Sequence, residues 1–194
     1  MKEHIINCSI ELFGRYGIKG VTMTALATEL GISKRTLYEM ISSKEQLLKE
    51  CLYKWLDKWQ ILTPVDGNLL DELFLLYLGM RQFDHSPVFH FCRDLKKFYF
   101  PGYSLLQNRL CEYATACGNR IQEGITEGYL RKDTSRNVVI SAVESYLNRL
   151  FIDYNAYAKD GRNSMSPDLV VVFARGLCTI KGRAYFDRKL KDVI

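Results

Sequence analysis

Residues 22–40 read TMTALATELGISKRTLYEM, and this stretch predicts two short helices joined by a tight turn. Thr22 can cap the first helix, because a hydroxyl before a helix accepts a hydrogen bond from its first turn. The apolar side of that helix carries Met23, Leu26, Ala27 and Leu30. Gly31 suits a positive-φ turn, and Ser33 can cap the second helix. Together these features predict a helix-turn-helix.

The second helix has a polar outer face. Leu37 and either Met40 or Ile41 are expected to point inward. The outer face then carries Lys34, Arg35, Thr36, Tyr38 and Glu39. Cations and hydroxyls of this kind can contact phosphates and guanine acceptors in the major groove of DNA. A hairpin of two helices with a solvated face that never contacts DNA remains the alternative from the residues alone.

A longer stretch, residues 5–48, resembles the DNA-binding domain of the TetR-type transcriptional regulators, the tetracycline repressor family. The matching segments are SIELFGRYG at 9–17, VTMTALA at 21–27, LGISKRTLY at 30–38 and SKEQLL at 43–48. Ile41 and Met40 depart from the family's usual aromatic or polar residues, and Ala25 replaces a commoner acidic residue. Neither change removes a side chain that would face DNA. The resemblance implies a DNA-binding domain at 1–46 and a helical domain for ligand binding and dimerisation at 47–194.

The resemblance also implies roles for individual residues. Phosphate contacts are expected from Thr22, Thr36, Tyr38 and Lys44, and base contacts from Lys34 and Arg35 with Thr24 and Glu39. Glu39 could accept a hydrogen bond from cytosine, although an acid facing DNA is more often repelled. The full candidate DNA-binding set is Thr22, Thr24, Ser33, Lys34, Arg35, Thr36, Tyr38, Glu39 and Lys44.

Composition is that of an ordinary globular chain. The 194 residues are 47% hydrophobic and 25% charged, which excludes disorder, collagen and a disulfide scaffold. The net charge of +5 permits a polyanionic partner without requiring one. The amino terminus lacks a secretory signal pattern, and the apolar stretch 69–80 is too short to span a membrane, which needs about 20 residues. The six cysteines include no C-x-x-C pair, so we expect a cytoplasmic protein with reduced thiols and no membrane association.

Helical periodicity runs through the chain. Apolar residues recur at helical spacing between sparse prolines and glycines, which predicts an all-α fold with about nine helices: a three-helix helix-turn-helix domain and a larger helical domain. Gly17 is expected to end the first helix in a left-handed conformation. Long helices are expected at about 104–128 and 134–157, and the last helix is expected to run without interruption from 166 to 190.

A dimer is expected because one helix-turn-helix makes too few contacts for useful specificity. The last two long helices carry the candidate interface: Val139, Val143, Leu147, Phe173, Gly176, Leu177 and Ile180. Gly176 and Gly182 would allow close helix approach across a two-fold axis, and the resemblance implies the same four-helix interface. The alternative is that both helices belong only to the core.

Aromatic residues concentrate in the middle of the chain, with nine between positions 74 and 103. Helical bundles place small ligands between helices, so this region predicts a pocket for an unidentified effector. The candidate ligand-binding residues are Tyr77, Phe83, Phe89, Tyr99, Tyr103, Tyr113, Tyr146 and Arg149. A large aromatic core is the alternative, and Arg149 is expected to pair with an acidic effector or an internal carboxylate.

Enzymatic motifs are not apparent. The segment 84–92 gathers His85, His90 and Cys92, but their spacing does not suit a metal site. No catalytic residue, metal or cofactor is expected. We therefore expect a homodimeric, ligand-responsive transcriptional regulator, a repressor of a palindromic operator. The alternative is a helical small-molecule or protein-interaction module whose helix-turn-helix no longer binds DNA.

Overall fold

The computed structural model describes residues 1–58, 67–82, 88–152 and 166–192, with the backbone alone at 58, 82 and 88–90. This part of the chain contains eleven α-helices and no β-strand, which confirms the all-α prediction. In order they are α1 Lys2–Gly20, α2 Met23–Glu29, α3 Lys34–Met40, α4 Lys44–Lys58, α5 Leu69–Gln82, α6 Val88–Phe98, α7 Phe100–Asn119, α8 Ile121–Thr126, α9 Arg136–Phe151, α10 Asp168–Leu177 and α11 Ile180–Lys191.

The first of two compact units contains α1 to α4, α6 and the first residues of α7. Its most extensive helix contact joins α1 to α6, where the Phe13 and Phe91 rings stack with centroids 5.8 Å apart. The expected domain boundary at residue 46 followed the extent of the sequence motif. In the structure α4 and α6 belong to the same compact unit as α1, α2 and α3.

The second unit contains α5, the remainder of α7 and α8 to α11. Here α5 packs against α10 and α11. The Asp71 carboxylate on α5 accepts hydrogen bonds from the Tyr185 hydroxyl, at 2.7 Å, and from the Lys189 ammonium. Burial opposes ionisation of Asp71, but these donors outweigh it and lower its pKa. The ion pair therefore fixes α5 to the carboxy-terminal helix.

The prediction of an uninterrupted helix over 166–190 is wrong, because the helical conformation is interrupted at Cys178 and Thr179. Cys178 is extended, with ψ 148°, and the Thr179 hydroxyl accepts from the Gly182 amide at 3.1 Å to cap α11. A Cβ on Gly182 would lie 2.0 Å from the Tyr129 carbonyl oxygen. Gly182 thus serves a close approach within the chain and not the approach across a two-fold axis that we expected.

The other long helices differ less from expectation. The helix expected at 104–128 begins earlier, at Phe100, and is divided at Arg120 into α7 and α8. The helix expected at 134–157 begins at Arg136, and its described part ends at Phe151. Gly17 has the expected positive φ, 71°, but it bends α1 and a further helical turn follows to Gly20.

Candidate nucleic-acid interface

Two hydroxyl caps and one glycine set the geometry between α2 and α3. Thr22 Oγ1 accepts from the Ala25 amide at 3.0 Å, and Ser33 Oγ accepts from the Thr36 amide at 3.0 Å. Gly31 has φ 64°, a conformation that costs an L side chain energy. The two caps and the turn are those predicted from the sequence, and they confirm the helix-turn-helix.

The apolar sides of α2 and α3 face a common core. Leu26, Leu37 and Ile41 are fully buried, while Met40 is 40% exposed. Of the two alternatives for the inward residue at the end of α3, the structure therefore selects Ile41. Because the buried positions fall on one side of α3, its remaining side chains are left in solvent.

The exposed side of α3 carries the predicted polar residues. Lys34, Arg35, Tyr38 and Glu39 are exposed there, and Thr36 is half-buried. These positions follow an i, i+1, i+4, i+5 pattern, which places them on one helical face. Thr24 is also exposed, on α2. The structure thus places Lys34, Arg35 and Glu39, which were predicted to face bases, and Tyr38, which was predicted to contact phosphate, on one solvent-exposed surface. We term these four residues the α3 face.

One ion pair lies on the α3 face. Arg35 Nε donates to Glu39 Oε1 at 3.0 Å, and the two side chains are 90% and 57% exposed. The residues are separated by one helical turn, the usual spacing for such a pair. Separate roles were predicted for Arg35 and Glu39, whereas the structure joins the two side chains.

Lys44 differs from the expectation that it contacts phosphate. Its ammonium donates to the carbonyl oxygens of Ile18 and Val21, at the link between α1 and α2. Partial burial lowers the pKa of Lys44. Two of its three N–H donors are therefore used within the protein, where they hold the chain that leads into the helix-turn-helix.

Asp94 is a supporting residue that the sequence did not reveal. Its carboxylate, on α6, accepts from the Ile18 amide at 2.9 Å. A Cβ on Gly17 would lie 2.6 Å from the same carboxylate oxygen, so glycine makes room for this contact. Gly17 was a visible signal for a bend, but nothing in the sequence linked it to a residue about 76 positions away.

A cavity of about 240 Å³ lies within the second unit and contains two of the eight candidate ligand residues, Tyr146 and Arg149. Its other lining residues are Leu73, Leu76, Ala142, Val143, Ser145, Leu169, Val170 and Phe173. Sequence analysis missed most of these because aliphatic residues at helical spacing look the same in a core and in a cavity wall. Arg149, which we expected to pair with an acidic effector or an internal carboxylate, lies at the cavity with its side chain exposed.

The remaining candidate ligand residues do not line this cavity. Tyr113 is buried and donates to the Glu72 carbonyl at 3.4 Å, and Tyr77 is buried and accepts from Arg81 at 3.2 Å. Tyr99 and Tyr103 lie in the first unit, where Tyr99 lines a separate cleft beside α4. Phe83 and the Phe89 side chain lie outside the described residues. The described side chains among these eight residues therefore do not all line one pocket.

The candidate dimer residues divide into two groups. Val139, Val143 and Leu147 are at most 2% exposed, so they belong to the chain's own core and offer almost no surface to a second copy. Leu177 is nearly buried and Phe173 is half-buried. Gly176 and Ile180 are exposed, Ile180 by 93%.

Two further aliphatic side chains of α10 are exposed. Leu169 is 47% exposed and Val172 is 66% exposed. We term the exposed residues Leu169, Val172 and Gly176 of α10, together with Ile180 at the start of α11, the α10 face.

Within the described ranges, no group of three or more His, Cys, Asp and Glu side chains could hold a metal ion. Nor is any helix in those ranges both long and apolar enough to cross a membrane. Burial raises the pKa of the Cys117 thiol to about 12, so this thiol stays protonated at neutral pH.

Known proteins resemble the chain in sequence and in fold. The model of the bacterial regulatory proteins of the tetR family matches residues 5–51. The HTH-type transcriptional repressor KstR2 of Mycolicibacterium smegmatis is 26% identical over 147 residues, which cover 71% of each protein.

Two solved structures show the same fold. NemR of E. coli, in its reduced form, has a TM-score of 0.68 at 14% identity and covers 92% of this chain and 97% of its own. CprB of Streptomyces coelicolor, solved with its operator sequence, has a TM-score of 0.62 at 17% identity and covers 95% and 93%. The helix-turn-helix at residues 22–41 lies inside the matched region. Over residues 5–51, which include the helix-turn-helix, this chain is therefore similar to the bacterial regulatory proteins of the tetR family.

Proposed function

We propose that the protein is a transcriptional repressor that binds a palindromic operator as a homodimer in the cytoplasm and is released by a small-molecule effector. The observation that carries this proposal is the α3 face. Two cations and a phenol are exposed together on α3, a helix that the Ser33 cap and a buried aliphatic core hold in place. Such a surface suits the major groove. KstR2 is named as a repressor and CprB was solved with its operator, which supports the same reading.

The homodimer is supported by the α10 face. Leu169, Val172 and Ile180 expose aliphatic carbon, and a Cβ on Gly176 would meet nothing within 4 Å. Exposed aliphatic side chains gain free energy when they are covered, at about 25 cal/mol per Å². A second copy of the chain would cover this face and place two helix-turn-helix units on one duplex. The proposed interface is therefore the α10 face, without the three buried valine and leucine residues of α9.

The effector site is supported by the cavity around Tyr146. The Tyr146 hydroxyl is buried without a hydrogen-bond partner within the part of the chain that the structure describes. Burial raises the pKa of this phenol, which keeps its proton and its capacity to donate. A ligand with an acceptor oxygen would satisfy the hydroxyl while its apolar part contacted Leu73, Val170 and their neighbours. The cavity is somewhat smaller than most ligand pockets, which are about 300–1,000 Å³.

Repression would end by a shift between two forms of the dimer that differ in the separation of their α3 helices. An effector that prefers the form with the wrong separation lowers the population able to bind DNA. An effector can shift the equilibrium between the two forms only by as much as its affinities for them differ.

A selection from genomic fragments tests the operator proposal. The purified protein is incubated with fragments at about 150 mM salt with excess unrelated DNA, a condition that specific complexes survive. We expect retained fragments to share an inverted repeat, and the double variant Arg35→Ala, Tyr38→Ala to lose them while folding and association stay intact. Arg109→Ala, which removes an exposed arginine on α7, serves as the matched control and should bind like the original protein.

The alternative function, a helical binding module with an inactive helix-turn-helix, predicts a different result. No fragment would then be enriched, even after the protein has been refolded to remove any bound ligand. Retention that the double variant leaves unchanged would contradict the role of the α3 face.

A further inference from the structure

The ion pair on the α3 face joins Glu39 to one donor of the Arg35 guanidinium. Glu39 engages Arg35 through Nε, at 3.0 Å, and leaves the side chain of Arg35 90% exposed. An exposed pair of this kind contributes little to folding, because solvent screens it. Besides Arg35 and Glu39, α3 carries one further charged residue, Lys34, so Glu39 is the one acidic residue of this helix.

Engagement at Nε has a consequence for what the guanidinium can bind. Arginine presents five N–H donors in a rigid planar fork, and only the Nε–H is used by Glu39. The two terminal amino groups remain available, and they can donate together to O6 and N7 of one guanine. Arginine also has many rotamers, so a contact that holds Nε reduces the freedom lost when the fork meets a base.

Glu39 keeps acceptor capacity in the same arrangement. A carboxylate has about four acceptor positions, and one is occupied by Arg35. Its side chain is 57% exposed and lies one turn beyond Arg35. Four helical residues rise about 6 Å, less than the about 7 Å spanned by two base steps. The cytosine amino group is the base donor that a carboxylate recognises in the major groove.

We propose that Arg35 and Glu39 act as one specificity-determining couple that reads guanine through the Arg35 fork and a cytosine within two base pairs through the Glu39 carboxylate. The inference rests on the proposed operator binding and names the bases that this surface selects. Glu39 repels phosphate, so it lowers affinity for all DNA while it rejects sequences that leave its carboxylate without a donor. Such rejection of wrong partners is a common source of specificity.

The test is a selection from a randomised duplex library with the full-length protein. The original protein is expected to select a guanine and a nearby cytosine in each half-site. Glu39→Ala should lose the cytosine preference, weaken the guanine preference about tenfold and bind unrelated DNA more tightly, since one negative charge is removed. Arg35→Lys should weaken the guanine preference, because an ammonium can reach O6 and N7 but lacks the fork.

Glu112→Gln is the matched control. It removes the acid of another exposed ion pair, Arg109 with Glu112 at 3.7 Å on α7, and should leave the selected sequence unchanged. A Glu39→Ala variant that selects the same bases as the original protein, with affinity raised equally for all sequences, would overturn the couple. Failure of the original protein to select any sequence would instead contradict the proposed operator binding, so the two failures are distinguishable.

Discussion

The α3 face and the α10 face are short helical surfaces with opposite chemistry. The first exposes Lys34 and Arg35, and the second exposes Val172 by 66% and Ile180 by 93%. A charged surface gains from a polyanion by releasing counterions, so its binding weakens as salt rises. An aliphatic surface gains by leaving water, which salt does not oppose. Under the proposed function, these two surfaces serve two unlike partners, DNA and a second copy of the chain.

Placing charge on the α10 face would remove the chemical difference between the two surfaces, and we expect it to have the largest effect, on self-association. We expect the double variant Val172→Asp, Ile180→Asp to weaken self-association by at least about 100-fold, because two desolvated carboxylates would have no partner. Sedimentation equilibrium measures the dissociation constant. Phe100→Asp, which changes another 65% exposed side chain, is the control and should associate normally. Equal association of all three proteins would show that the α10 face is not the interface.

Removal of the Lys44 ammonium tests whether the α3 face depends on the hydrogen bonds that Lys44 makes to the link between α1 and α2. Lys44→Met leaves the Ile18 and Val21 carbonyls without this donor, and we expect the free energy of unfolding to fall by about 1–2 kcal/mol. Operator affinity should fall as well, since the link between α1 and α2 loosens. Urea denaturation and DNA titration provide the two readouts.

Lys49→Met is the matched control for Lys44, because it removes an exposed lysine from the same helix. The control should lose less than half as much stability. If both variants behave alike, Lys44 acts only through its charge and does not position the helix-turn-helix.

The smallest expected changes in stability concern Tyr146 and Tyr77 of the second unit, and comparing the two distinguishes a tyrosine beside a cavity from one in the core. Tyr146→Phe removes a buried hydroxyl without a partner in the described structure, and we expect stability to stay equal or rise by up to about 1 kcal/mol. Tyr77→Phe removes a hydroxyl that accepts from Arg81, and stability should fall by about 1 kcal/mol. Thermal unfolding of the unliganded proteins gives both values. A loss from Tyr146→Phe as large as that from Tyr77→Phe would mean that the hydroxyl already has a partner in the assembled protein.

The helix-turn-helix could be predicted from sequence because its determinants are local. Thr22 caps a helix by binding Ala25, Ser33 by binding Thr36, and Gly31 takes the required positive φ. Each of these contacts spans about three residues, so residue type and spacing are sufficient. The choice between Met40 and Ile41 was left open, since it depended on where the other helices of the unit lie.

The supporting contacts could not be predicted because they join distant parts of the chain. Asp94 binds the Ile18 amide across 76 positions, and the Thr179 hydroxyl donates to the Gly128 carbonyl across 51. The second contact lies at the break between α10 and α11 that the periodicity concealed. Tyr77 and Tyr146 likewise look equivalent in the sequence, and only packing separates a hydrogen-bonded core tyrosine from one beside a cavity.

The central claim is that two copies of the α3 face read one duplex. Hydroxyl-radical footprinting of the selected operator, combined with the mass of the complex in solution, tests it most directly. We predict an even number of chains per operator and two protected tracts about 34 Å apart, one helical turn of DNA, both lost in the double variant Arg35→Ala, Tyr38→Ala. One chain per duplex with a single protected tract, or protection that survives the double variant, would contradict the account.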